Sequence, residues 1–430
     1  MTSSGDRGAG QPWARRFFAI WAGQAFSLLG SMLVQFALVW WLTSSTGSAT
    51  VLATATIFAI LPQVFIGPFA GALVDRWDRR KVLIASDGLI ALITLGLVLL
   101  FASGRMEVWH VYLGMLLRAT LGAFHFPAMQ ASTSLLVPDE HLARINGLNQ
   151  GLQGLMNIVA PPLGALLLGV MPLHRVLAID IVTAFLAILP LFFITIPQPS
   201  SRSVATDANP VRAMLIDLRE GFRYVRAWPG LLILILVAMA LNFVLVPSGS
   251  LMPLLVTEHF GGGALQLGWL EAAMGIGVVS GGILLGAWGG FKRRILTSMM
   301  GVTGIGLGTV LVGLTPASLF GVALAGMAVT GFMGPMANGP LFAIVQSTVE
   351  PGMQGRVMSL ISSGAAAMMP LSLLLAGPLA DVVGVRTWYV MGGAICVLIA
   401  LGSLALRPLM EIERNGHTQA VASEAAAPAS

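Results

Sequence analysis

Four ionisable residues lie within or at the ends of long apolar runs, where a charge needs a physical reason. Arg118 is the only basic residue inside such a run, and Asp87, Asp180 and Glu271 are carboxylates in other runs. A charge in a membrane span is costly and marks a functional candidate. Because burial favours the neutral form of a carboxylate, it can load and release a proton near neutral pH. The sequence predicts proton coupling through Arg118, Asp180 and Glu271.

The three carboxylates differ in their neighbours along the chain. Asp180 follows Arg175 closely, so an ion pair that anchors the helix end is the favoured alternative for it. Glu271 has no basic neighbour in sequence and is the first choice for coupling. Asp87 stands beside a basic loop and is predicted to pair with it.

Uncharged polar residues follow single helical faces, with steps of three and four. Amides and hydroxyls suit hydrogen bonding to a neutral or weakly basic solute, although hydrogen bonds between helices explain the same pattern. The favoured interpretation of His125 by itself is an interior histidine whose hydrogen-bonding groups have partners in the protein. The predicted residues of a substrate cavity are Gln24, Ser27, Ser31, Gln35, His125, Gln153, Asn157, Asn242 and Asn338.

Long helices must position these residues. Apolar residues make up 56% of the 430 and charged residues 10%, against about 25% charged in soluble proteins. The charge-free runs are long enough for twelve spans of about 20 residues. We predict an all-α integral membrane protein with twelve transmembrane helices, in two pseudo-symmetric six-helix halves around a central cavity.

The loops set the orientation and the domain limits. Only Arg105, Arg175 and Arg386 lie in loops on the side opposite the termini, which predicts a multi-pass cell-membrane (inner or plasma membrane) protein with both termini cytoplasmic. This placement also accounts for the net charge of +5 without nucleic acid. The predicted regions are an N-terminal tail (1–16), a first half (17–196), a linker with an amphipathic segment (197–229), a second half (230–406) and a disordered tail (407–430).

A glycine–aspartate segment ends the second predicted span. It reads Gly71-Ala72-Leu73-Val74-Asp75-Arg76, and Arg79, Arg80 and Lys81 follow. Gly71 permits a close helix approach, and the Asp75 carboxylate suits a helix N-terminus. The alternative is that the charges of this loop only mark the cytoplasmic side of the membrane. A basic cluster after the eighth predicted span, at Lys292-Arg293-Arg294, supports a parallel repeat of the two halves.

These motifs resemble the major facilitator superfamily over residues 15–407. Residues 71–81 resemble its signature loop, Arg118 with Gly122 the fourth-span signature of its proton-coupled drug exporters, and residues 160–164 an exporter fifth-span motif. Residues 21–30 and 217–224 resemble its macrolide-efflux and enterobactin-exporter branch. The resemblance implies a monomeric secondary transporter in membrane lipid. It would export small amphiphilic molecules (drug, macrolide or siderophore type) by alternating access, in exchange for protons.

The resemblance also implies a gate in which Asp75 meets the start of the eleventh span near Arg356. The gating residues are then Gly71, Asp75, Arg76, Arg79, Arg80 and Arg356.

Other functions remain open. An uncoupled facilitator, or a lipid or metabolite transporter of the same fold, has no need of proton coupling. A polytopic enzyme would need a polar catalytic cluster, and a receptor a sizeable soluble domain; the sequence suggests neither. It has no Gly-Lys-Ser/Thr phosphate loop, no metal-ligand spacing and one cysteine, Cys396. We expect no cofactor, no metal and no enzymatic activity.

Overall fold

The computed structural model describes residues 13–197 and 210–413. Most of the predicted N-terminal tail (1–12), part of the linker (198–209) and most of the C-terminal tail (414–430) lie outside the described residues. Within the described ranges the regular secondary structure is helical, which agrees with the predicted all-α class.

Seven helices precede the linker. They are α1 (Trp13–Thr46), α2 (Ala49–Phe65), α3 (Gly67–Val74), α4 (Arg79–Ala102), α5 (Val108–Leu136), α6 (Asp139–Val170) and α7 (Leu173–Phe193). Connections of one to five residues separate them. At the start of α4, the Asp78 side chain caps the helix by accepting a hydrogen bond from the Lys81 backbone amide.

Nine helices follow the linker. They are α8 (Pro210–Ala227), α9 (Pro229–Ser250), α10 (Met252–Leu254), α11 (Ala264–Trp288), α12 (Arg294–Leu314), α13 (Phe320–Thr348), α14 (Pro351–Val383), α15 (Val385–Leu404) and α16 (Arg407–Met410), with a π-helical turn at Leu255–His259 and a 3-10 turn at Ala317–Leu319. Helix α8 is the amphipathic segment that the sequence predicts in the linker.

Ten helices of the described chain are long and apolar enough to cross a membrane. The shorter α2 and the Arg118-containing α5 bring the number to the predicted twelve. The first residues of the predicted disordered tail are ordered instead. Leu409 and Ile412 are buried in an apolar cluster with α9, because their side chains gain from leaving water.

The chain forms two compact units. The first contains Met1–Ala37, Leu61–Met156 and Met171–Arg202, and the second contains Leu38–Ile60, Asn157–Val170 and Ser203–Ser430. The second unit therefore includes parts of α1, α2 and α6 from the first half of the sequence. A division at the linker stays a prediction.

In the first unit, α4 packs between α5 and α7. This arrangement places the polar faces of α4, α5 and α7 toward one another and toward α1. In the second unit, α11, α12, α13 and α15 pack closely. A Cβ atom on Gly331 of α13 would overlap the backbone of Met274 in α11, so this helix crossing requires glycine.

Candidate functional site

A buried ion pair joins α5 to α7 in the first unit. The Arg118 Nη1 atom donates to Asp180 Oδ2 at 2.6 Å, and the two side chains are 11% and 1% exposed. Asp180 also accepts hydrogen bonds from Thr94 Oγ1 at 2.8 Å and from Ser31 Oγ at 3.2 Å. Arg118 in turn donates to Ser31 and Thr94. We call Ser31, Thr94, Arg118 and Asp180 the Asp180 cluster.

This pairing corrects the predicted Arg175–Asp180 anchor. Arg175 is exposed, and five residues on a helix turn the side chain through about 140°. Asp180 therefore faces α4 and α5, away from Arg175. The structure brings together two of the three residues predicted for proton coupling, Arg118 and Asp180.

A second buried carboxylate lies between α4, α1 and α5. Asp87 is 2% exposed. Its Oδ2 atom accepts from Gln24 Nε2 at 2.9 Å, and its Oδ1 atom lies 3.4 Å from both Ser27 Oγ and His125 Nε2. His125 Nε2 also lies 3.0 Å from Gln24 Oε1. We call Gln24, Ser27, Asp87 and His125 the Asp87 cluster.

The predicted pairing of Asp87 with the basic loop is wrong. Asp87 lies about two turns beyond Arg79, the first residue of α4, and its side chain faces the interior of the unit. The basic residues have other partners. Arg79 pairs with Asp75, and Arg80 donates to the carbonyl oxygens of Leu191 and Phe192 at 2.5 and 2.9 Å.

The two clusters repeat along three helices. Helix α1 supplies Gln24 and Ser31, α4 supplies Asp87 and Thr94, and α5 supplies His125 and Arg118. Each pair is seven residues apart, which is two turns and about 10 Å along a helix. The sequence analysis missed Thr94 and assigned Asp87 to the basic loop, although the spacing of these two residues matches the spacing in α1.

The other predicted cavity residues are not part of these clusters. Asn242 and Asn338 donate to carbonyl oxygens one turn earlier in their own helices, at 2.9 and 3.1 Å. These contacts satisfy part of each amide locally. Gln35, Gln153 and Asn157 are exposed. A substrate cavity lined by all of these residues stays a prediction.

Glu271 is half-buried in α11 of the second unit. It is therefore not part of the Asp180 cluster, which lies in the first unit. Its role in coupling stays a prediction.

Four of the predicted gating residues have partners within their own units, namely Asp75, Arg79, Arg80 and Arg356. The exposed Asp75 carboxylate pairs with the buried Arg79 guanidinium at 3.4 Å across one helical turn, and Arg76 is exposed. Within the described chain, no atom lies within 4 Å of a Cβ placed on Gly71. The close helix approach expected there is absent from this structure.

Arg356, at the start of α14, pairs with Glu220 of the amphipathic helix α8 at 2.8 Å. A Cβ on Gly221 would lie 3.4 Å from the Arg356 side chain and backbone, so α8 fits closely against α14. The sequence analysis expected Asp75 near Arg356 and missed Glu220.

Comparison with known proteins supplies the context for this site. The family model of the Major Facilitator Superfamily matches residues 20–249 and 247–428. The chain is 36% identical to Macrolide efflux protein A of Streptococcus pyogenes over 391 residues, which is 90% of this chain and 95% of that protein. It is 29% identical to the Multidrug efflux pump Tap of Mycolicibacterium fortuitum, over 89% of this chain and 94% of that protein.

Solved transporter structures share the fold at low sequence identity. The peptide transporter POT superposes with a TM-score of 0.70 at 13% identity, covering 94% of this chain and 95% of its own. The nucleoside transporter NupG gives a TM-score of 0.67 at 13% identity, covering 92% and 99%. At such identities the likeness concerns the fold alone.

Proposed function

Because the chain belongs to the Major Facilitator Superfamily, and is a multi-pass cell-membrane transporter of the drug-efflux type, we propose that it exports small amphiphilic molecules in exchange for protons. Alternating access between the two sides of the membrane would move the molecule. The named substrates of its relatives favour macrolides and other amphiphilic drugs. The charge placement in the loops favours cytoplasmic termini, and the protein would act as a monomer.

The observation that carries proton coupling is the buried Arg118–Asp180 pair. Burying two charges in a span is expensive, and replacing such a pair by apolar residues is often neutral or stabilising. Stability alone is therefore a weak reason for the pair to be there. A proton on Asp180 would neutralise the carboxylate and leave Arg118 to find another acceptor. Proton binding would then change how α5 is held against α7.

The polar face of α1 supports a link between proton and substrate. Ser31 donates to Asp180, while Gln24 and Ser27 donate to Asp87. A solute that hydrogen-bonds to this face would compete for the same groups. Gln35, Gln153, Asn157, Asn242 and Asn338 remain the further proposed cavity residues, and Glu271 a further proposed proton carrier.

The gating proposal rests on charge and on helix ends. The exposed Asp75 carboxylate could move from Arg79 to the N-terminus of α14, whose free amides favour anions. Arg356 would then exchange Glu220 for Asp75. Gly71, Arg76 and Arg80 belong to the same proposed gate.

The test is drug accumulation in an efflux-deficient bacterium, with and without an uncoupler. We compare the wild type with Asp180→Asn, Arg118→Gln and Glu271→Gln at matched expression, and Arg175→Gln serves as the exposed control. We expect the wild type and the control to lower accumulation, and the uncoupler and the substitutions at Asp180 and Arg118 to abolish that effect.

The outcomes separate the alternatives. Export that survives the uncoupler and the Asp180 substitution indicates an uncoupled transporter and overturns proton coupling. Loss of export only in Glu271→Gln moves the coupling site to the second unit.

A further inference from the structure

We propose that the Asp87–His125 pair is a second proton-binding site, in which the His125 imidazole takes up and releases the proton. Its part in transport rests on the proposed function above. The site itself does not, because proton binding can be measured without any substrate.

The hydrogen bonds fix which imidazole nitrogen carries hydrogen in the neutral ring. The Gln24 amide nitrogen donates to Asp87, so the Gln24 oxygen faces His125. His125 Nε2 therefore lies near two acceptors, Gln24 Oε1 and Asp87 Oδ1, and must itself be the donor. Within the described chain Nδ1 has no hydrogen-bond partner, so Nδ1 is the atom that takes the incoming proton.

The charge balance gives that proton a function. Asp87 accepts hydrogen bonds from Gln24 and Ser27, which suits an ionised carboxylate. A buried carboxylate needs a compensating charge. Around Asp87, α1 offers only uncharged groups, and Arg118 of α5 and Asp180 of α7 are engaged with each other. Helix α3, which packs on α5, has no charged residue.

His125 is therefore the group that can compensate Asp87, and it does so only when protonated. The change is a simple proton binding. A proton from water joins the Nδ1 lone pair, the imidazole becomes an imidazolium, and the pair goes from a net charge of −1 to 0. No covalent bond breaks.

Exposure shows how the proton would enter. The Asp87 side chain is 3% exposed and the His125 side chain 23% exposed. The imidazole is partly accessible, while the carboxylate stays covered. The imidazole is thus the entry point, and the carboxylate stabilises its charge.

The site lies about two helical turns from the Asp180 cluster on the same three helices. A shift of α1, α4 or α5 that alters one cluster must move residues of the other. This arrangement suits two proton sites whose occupancies depend on each other.

The experiment is NMR of the full-length protein in nanodiscs, with the imidazole carbons of histidine labelled. The chain has six histidines, and the His125 signal is identified by its loss in His125→Gln. In the wild type we expect this signal to move from the neutral to the charged position as the pH falls from about 8.5 to about 5. In Asp87→Asn the imidazolium loses its partner, so the signal should reach the charged position only at a lower pH than in the wild type.

Two results would overturn the proposal. One is a wild-type His125 signal that does not move with pH. The other is a folded Asp87→Asn protein whose His125 signal moves as in the wild type. If Asp87→Asn does not fold, proton uptake decides. His125→Gln should bind about one proton fewer than the wild type between these pH values, and equal proton uptake by the two proteins would overturn the proposal.

Efflux measured in parallel separates the two proposals. If the His125 signal does not move with pH in a protein that exports drug, only the second proton site is overturned. A titrating His125 in a protein that exports nothing leaves the site standing and overturns the proposed function.

Discussion

Removing one partner of the Arg118–Asp180 pair should destabilise the first unit much more than breaking an exposed ion pair. In Asp180→Ala, the Arg118 guanidinium stays in a site where it is only 11% exposed, and it loses its carboxylate partner. Breaking a buried pair from one side costs about 3–5 kcal/mol. The matched control is Glu220→Ala, which breaks the Arg356–Glu220 pair. Its side chains are 35% and 38% exposed, and the expected loss is about 0–1 kcal/mol.

The assay is unfolding of the purified protein in mixed micelles, with increasing SDS, followed by circular dichroism. We expect the unfolding midpoint of Asp180→Ala to fall well below that of Glu220→Ala. The double variant Arg118→Met/Asp180→Leu should recover most of the lost stability, because apolar residues of similar size replace a buried pair well. The same double variant should export nothing.

Two results would refute this reasoning. If Asp180→Ala and Glu220→Ala unfold at the same midpoint, the buried pair has no special energetic weight. If the double variant exports drug in a proton-dependent manner, the pair does not couple transport to protons.

Three further substitutions test the packing and the helix ends, each by the same unfolding assay. Gly331→Ala should cost about 1–3 kcal/mol because the new methyl group overlaps a neighbouring backbone, whereas Gly286→Ala meets open space and should change little. Arg80→Gln should lower the free energy of unfolding by about 1–2 kcal/mol because two hydrogen bonds to the end of α7 are lost. If Arg80→Gln is as stable as Arg76→Gln but blocks export, Arg80 acts in the gate instead. Asp381→Ala should lower the free energy of unfolding by about 0.5–2 kcal/mol, because this carboxylate accepts hydrogen bonds from two backbone amides at the start of α2 at 2.6 and 3.1 Å. Unchanged stability would show that this cap does not stabilise the protein.

The sequence predicted which polar residues share a helical face, and only the fold showed which residues they contact. The periodicity of Gln24, Ser27 and Ser31 places them on one side of α1. The structure divides this face between two carboxylates, Asp87 and Asp180. Asn242 and Asn338 lie in two other helices, and each amide bonds to its own helix.

The sequence by itself determined the all-helical class, the twelve predicted spans and the isolation of Arg118 in an apolar segment. These features depend on how apolar and charged residues are distributed along the chain, and the bilayer imposes that distribution on each span separately. Tertiary structure alone decided that Arg118, rather than Arg175, pairs with Asp180, and that Asp87 meets His125 instead of the basic loop. Those choices depend on which helix faces meet, and residues 62 and 38 positions apart meet only when α4, α5 and α7 pack together.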